Sequence, residues 1–200
     1  MKMPFINFVE ERLKPGFLLI TCGLPGTWKT ETSQEISKIK GYPILRTDLI
    51  RLEVLKDENI FDEKVSSNLS KRELVYTEMF RRADELAQKN EGVILDATFV
   101  TRKLRRRASD VAARHNKTLV ILQTYCTQEA SIARILKRTK EKYESNALTK
   151  QAYLNNKKMF EPVDLDHLKR KHPQLEVIHL TVNTEKDLPE GWNIIGMNTK

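Results

Sequence analysis

Five short apolar runs constrain the fold of this chain most: 17–22 (FLLITC), 43–46 (PILR), 92–96 (GVILD), 118–124 (TLVILQT) and 175–182 (LEVIHLTV). Each has the length of a strand and lacks the polar alternation of a half-exposed one, so each reads as buried on both faces. Long polar segments that can form helices lie between them. Residues 71–90 carry Val75, Met79, Ala83 and Leu86 on one stripe, and 101–115 and 127–140 look similar, both rich in Arg and Ala. Continuous apolar strands alternating with helices predict an α/β chain, with a parallel sheet covered by helices on both faces. No internal repeat, low-complexity linker or composition break interrupts the pattern, so residues 1–200 read as a single domain.

Several classes drop out. No apolar run approaches 18 residues, so no membrane span is expected. The start, MKMPFINFVEERLKPG, lacks the apolar centre and small-residue cleavage site of a secretion signal. Cys22 and Cys126 sit in apolar, strand-like surroundings, and two cysteines make no disulfide framework. Buried thiols and a cytoplasmic location are expected. Thirty-five Lys and Arg against 27 Asp and Glu give a net charge of +8, a balance that suits nucleotides, phosphorylated substrates or nucleic acid.

The first apolar run leads into GLPGTWKT, residues 23–30. This nearly matches the phosphate-loop signature G-x-x-x-x-G-K-[ST], in which backbone N–H groups and a helix N-terminus cradle phosphate oxygens. Gly23, Leu24, Pro25, Gly26, Thr27, Trp28, Lys29 and Thr30 form the expected nucleotide loop. Lys29 is placed for the β- and γ-phosphates and the Thr30 hydroxyl for Mg²⁺. Trp28 stands where the signature has its second glycine. The amide donors need only backbone, so an indole directed away from the phosphates leaves the cradle usable.

Ligands of an open parallel sheet collect at the carboxyl ends of its strands. Asp48 follows the second run and is placed to act as general base on an acceptor hydroxyl; the other reading is an N-cap of the helix after it, and both roles can hold together. Arg51, one turn on, could clamp an anionic acceptor. Asp96 ends the third run and is the expected second metal anchor, with Thr98 and Arg102 following it toward the acceptor. In TRKLRRR, Arg102 and Arg106 share a helical face. Arg134 and Arg138 lie four residues apart and could neutralise a transferred phosphoryl group from a lid spanning about 134–160. The four histidines have no metal-ligand spacing.

Together, GLPGTWKT, ILRTDLIR, VILDATF and ARILKR…SNALT…MFEPV resemble, in order, the motifs of adenylate-kinase-like P-loop kinases. The resemblance is strongest to small AAA-type kinases related to the kinase domain of polynucleotide kinase and, in the lid, to gluconate kinase. It runs from about Gly16 to Val182. It implies a three-layer α/β/α sandwich around a five-stranded parallel sheet, with the five runs in the spatial order 2-3-1-4-5. It also implies ATP- and Mg²⁺-dependent transfer to a hydroxyl acceptor, with Lys29 and Thr30 on ATP–Mg²⁺ and Asp48 as base. Arg51 would hold the acceptor, and Arg134 and Arg138 would act from the lid. Departures are Trp28 for glycine and Asn146 where such lids often carry aspartate. A nucleotide, a nucleic-acid 5′ end and a small metabolite are the acceptors considered. The rival readings are a non-catalytic ATP-binding module and a nucleic-acid-binding protein with a relic loop.

Overall fold

The computed structural model describes residues 3–60, 62, 65, 68–138 and 147–200. All six residues of β2 (Phe17–Cys22) are buried. Parallel strands flank it on both sides: β4 (Gly92–Asp96) and then β3 (Ile44–Arg46) on one, β5 (Thr118–Tyr125) and then β6 (Val177–Asn183) on the other. Beyond β6 the sheet continues through β7 (Asn193–Thr199) and β1 (Met3–Pro4), each antiparallel to its neighbour. The full order is β1-β7-β6-β5-β2-β4-β3. The expected five-stranded, all-parallel sheet is thereby corrected to a mixed sheet of seven. After β6 the chain turns through a short 3₁₀ helix (Pro189–Gly191). So short a return, without a crossover helix, can only lay β7 antiparallel.

Alternate residues of β2 serve opposite faces, as the strand period requires. Leu18, Ile20 and Cys22 join one core with Val75, Met79 and Ala83 of α4 (Leu69–Lys89) and with Leu104, Ala108 and Val111 of α5 (Arg102–Arg114). Phe17 and Leu19 join the other, with Phe5, Phe8 and Val9 of α1 (Phe5–Glu11) and Ile36 of α2 (Lys29–Lys40). Burying each such side chain contributes about 1.5–3 kcal/mol, enough to fix the strand that carries the phosphate loop. The helical stripe of α4 ends on Ala87 rather than Leu86, which is only partly buried.

The remaining helices are α3 (Thr47–Val54), α6 (Gln128–Leu136), α7 (Lys150–Met159) and α8 (Leu165–Lys171). Within the expected lid, 139–146 lie outside the described residues, Asn146 among them.

Candidate active site

The loop between β2 and α2 needs its two glycines. Gly23 has φ +145°, and a Cβ there would lie 2.8 Å from the carbonyl oxygen of Thr124. Gly26 has φ +80°, with Ser131 O only 2.5 Å from such a Cβ. The loop is pinned to the neighbouring strand end, because the Gly23 N–H donates to Thr98 O at 3.1 Å. Trp28 takes the left-handed conformation (φ 57°, ψ 37°) that a glycine would adopt without strain, and it forms the N-cap of α2. Its indole packs against the α1–α2 core and under the Arg134 guanidinium, whose carbon is 4.7 Å from the ring centre.

Lys29 and Thr30 open α2. The Lys29 ammonium donates to Leu24 O at 2.6 Å, folded over its own loop. Burial pushes its pKa down; Asp96, Glu31 and Asp48 pull it back up, and Arg138 adds to the fall. The Thr30 hydroxyl donates to Asp96 Oδ2 at 2.7 Å. The other carboxylate oxygen, Oδ1, faces the Thr21 hydroxyl at 3.2 Å, and that hydroxyl accepts the Ala97 N–H at 3.0 Å. Arg46 Nε is 3.6 Å from Oδ2. Burial pushes the Asp96 carboxyl up, against the Thr30 hydrogen bond and Lys29. A buried carboxylate beside a threonine hydroxyl is a hard-oxygen pair that suits Mg²⁺, which needs only one or two protein ligands. Thr30 and Asp96 are the residues that would hold it.

Asp48 and Arg51 face one another at the start of α3, with Nη1 and Oδ1 2.8 Å apart. The N-cap of α3 is Arg46, and no side chain caps that helix. The capping alternative for Asp48 is therefore overturned, and its carboxylate is committed to Arg51. Burial pushes the Glu31 carboxyl up, and the nearby Arg138 charge opposes that rise while adding to the fall at Lys29; Arg138 Nη1 reaches Ala147 O at 3.5 Å. Lys29, Thr30, Asp48, Arg51, Asp96 and Arg138 are thus gathered at one end of the sheet.

Two expected residues lie elsewhere. Arg134 was assigned to the phosphoryl group from a lid; it is instead buried, and its donors are committed within the fold. Nε donates to Asp187 Oδ1 (3.0 Å), Nη1 to Gly26 O (3.2 Å) and Cys126 Sγ (3.3 Å), and Nη2 to Thr184 O (2.9 Å) and Glu185 O (2.8 Å). Arg102 is exposed and turned toward Asp164, 4.0 Å away. It lines a separate cleft of about 450 Å³ with His179 and Lys200. Thr98 contributes its backbone carbonyl to the loop.

Sequence reasoning missed Glu31, Thr21, Arg46 and Arg105. Arg105 is buried and donates to Phe99 O (2.8 Å), Glu161 O (2.7 Å) and Pro162 O (3.0 Å), tying residues 161–162 to the segment that follows β4. Its helical phase carried a usable signal, since it lies three residues before Ala108 and seven before Ala112, both buried in α5. Both cysteines are free and buried, as expected.

A parallel-centred sheet with a phosphate loop after its first core strand, and a threonine–aspartate pair behind the loop, defines a P-loop kinase-like domain. The chain belongs to the AAA_33 family, an AAA domain, whose model matches residues 18–163. No curated protein matches it. Among solved structures it is similar to a gluconokinase from Sinorhizobium meliloti 1021, at 18% identity over 87% of this chain and 86% of that one, with a TM-score of 0.54. A protein from Chloroflexus aurantiacus j-10-fl matches at TM-score 0.62 and 18% identity, over 86% and 90% of the two chains. Kti12 from Chaetomium thermophilum, solved in complex with ADP-AlF3, matches at 0.54 and 18%, over 74% and 81%. At these identities the likeness is one of fold.

Proposed function

We propose that this chain is an ATP- and Mg²⁺-dependent phosphotransferase acting on a hydroxyl acceptor. The observation that carries the reading is the pair of Thr30 and the buried Asp96, at 2.7 Å, beside a half-buried Lys29 at the foot of the loop. An abandoned nucleotide site has no need to bury an aspartate and hold a lysine beside it, since the buried carboxylate costs desolvation energy. On this reading the loop amides and Lys29 bind the β- and γ-phosphates. Mg²⁺, when bound by Thr30 and Asp96, supplies neutralisation of the phosphate charge. Asp48 takes the proton from the acceptor O–H as the oxygen bonds to the γ-phosphorus and the bond to the β-phosphate oxygen breaks, releasing ADP. Arg51 orients Asp48 and meets the acceptor; Arg138 meets the phosphoryl oxygens from the lid at about 134–160. Residues 1–200 act as one domain in this scheme.

The similarity to a gluconokinase supports sugar acids among the acceptors to try. Nucleotides and nucleic-acid 5′ ends belong beside them on account of the +8 charge. A cytoplasmic location fits the same reading; among the described residues no helix is long and apolar enough to cross a membrane.

Trp28 favours a second reading, a module that holds ATP without turning it over. Calorimetry with ATP–Mg²⁺, followed by ADP release across an acceptor panel, separates the readings. Binding with acceptor-dependent ADP release is expected of the kinase. Binding without release is the mark of the module, and no binding is the mark of a relic loop on a nucleic-acid-binding protein. Lys29→Ala should weaken ATP–Mg²⁺ by roughly ten- to a hundredfold in calorimetry, the loss of a charge-assisted contact worth about 1.5–3 kcal/mol. Unchanged affinity would remove Lys29 from the site.

A further inference from the structure

We infer that Trp28, Arg134 and Thr184 form a brace that aims the phosphate-binding amides of the loop, with Arg134 a positioning residue rather than a phosphate ligand. The inference rests on the nucleotide reading above and assigns to the unusual tryptophan a part in that site.

In a trans peptide the C=O and the N–H point in opposite directions, and the described residues contain no cis bond. The carbonyl of Gly26 belongs to the same peptide as the Thr27 N–H, and that of Thr27 to the same peptide as the Trp28 N–H. Both carbonyls are held from the β5–β6 side: Gly26 O by Arg134 Nη1 at 3.2 Å, Thr27 O by the Thr184 hydroxyl at 3.0 Å. With the oxygens fixed outward, the Thr27 and Trp28 N–H groups are turned the other way, into the concave side of the loop. Those are donors a phosphate needs.

Arg134 is itself over-determined. Its other donors go to the carbonyls of Thr184 and Glu185 and to Asp187, so the guanidinium also locks the segment that carries Thr184. Its guanidinium carbon lies over the indole of Trp28, 4.7 Å from the ring centre, and only 7% of Arg134 is exposed. A guanidinium shielded from water gains most from an aromatic face. A glycine at position 28 would offer none. The tryptophan is thus strained in its backbone and repaid in its side chain, and it links the last loop residue to the arginine that holds the loop's carbonyl. The Thr27 hydroxyl, 2.6 Å from that of Thr124, closes the same frame from β5.

A brace acts on whatever phosphates the loop amides hold, so ADP and ATP should suffer equally. A lid arginine on the γ-phosphate would weaken ATP alone. Calorimetry with ADP–Mg²⁺ and ATP–Mg²⁺ is therefore compared for the parent, Arg134→Lys, Trp28→Leu and the double variant. Leucine keeps a side chain at positive φ and removes only the aromatic face; lysine keeps the charge and loses the fork. Each single variant is expected to lose roughly five- to thirtyfold for both nucleotides. The double should lose little more than the worse single, and Trp28→Phe should retain most of the affinity. Loss confined to ATP, additive losses, or no loss would each overturn the brace. If the parent binds neither nucleotide, the phosphotransferase reading fails by itself. The brace is then judged on Trp28 emission in a Trp192→Phe background. Arg134→Lys should move that emission to the red and raise its quenching by acrylamide, and an unchanged spectrum would overturn the brace without reference to any nucleotide.

Discussion

Asp48→Asn is expected to lower acceptor-dependent ADP release by roughly 10²–10⁴-fold while leaving ATP–Mg²⁺ affinity unchanged. Asparagine matches the shape of the carboxylate and can still face Arg51, but it cannot take up the acceptor's proton. The side chain is not spent on helix capping, because Arg46 holds the N-cap of α3 and no side-chain cap exists there. The Asp48–Arg51 ion pair is partly exposed, with 25% and 10% of the two side chains accessible. Asparagine's oxygen can still accept from the buried Arg51 guanidinium, but the weaker acceptor should lower stability by about 1–3 kcal/mol. Initial rates, calorimetry and a thermal melt on one preparation separate these effects. A variant with parental turnover would move the base elsewhere. One that fails to fold would make Asp48 structural, and Asp48→Glu, which keeps the charge, would then be the variant to follow.

The second large effect is on stability. Arg105→Met should destabilise the protein by roughly 3–5 kcal/mol, a fall of about 6–20 °C in Tm for a chain of this size. Methionine fills the volume and follows the path of the arginine stem. What it cannot do is donate to the carbonyls of Phe99, Glu161 and Pro162, which the guanidinium serves together. Three carbonyl oxygens then lose their donor at a site where the arginine is 1% exposed. Arg105→Lys should fall between, since an ammonium keeps the charge but not the fork. A parental melting temperature in Arg105→Met would mean that water replaces the lost donors.

The contrast between Arg105 and Arg134 shows what the sequence could and could not reveal. The apolar runs located the core strands to within one or two residues; β2 and β4 are buried on both faces as expected, whereas β3 is half-buried throughout and β6 alternates, His179 and Thr181 being only partly covered. The loop, Lys29, Thr30 and Asp96 were legible for a local reason, each being fixed by its distance from a strand end. Arg105 was legible in principle, since the phase of Leu104, Ala108, Val111 and Ala112 places it toward the core side of α5. Pairing Arg102 with Arg106 instead chose the exposed face, where charges are ordinary. Arg134 was not legible. Its partners are backbone oxygens of Gly26, Thr184 and Glu185, far away along the chain, and a carbonyl looks the same in every residue. The strands β1 and β7 escaped for a related reason: Met3–Pro4 is too short for a periodic signal, and β7 carries exposed Ile195 and Met197 with no clear apolar face.

The seam between those two strands carries a kinetic consequence. Met3 pairs with Ile194, the Phe5 N–H donates to Trp192 O at 3.0 Å, and the Phe5 ring meets the Trp192 indole edge-on at 5.7 Å. These contacts join residues separated by nearly the whole described chain. Lengthening a loop adds little to its closure cost, about 0.6 kcal/mol per doubling, yet contacts of such separation slow the search for the native state. During synthesis, Phe5 leaves the ribosome long before Trp192 exists to cover it. The helix that begins with Phe5 is made well before β7 and must wait for it to find its full partner. In that interval its apolar side is a surface for unwanted association.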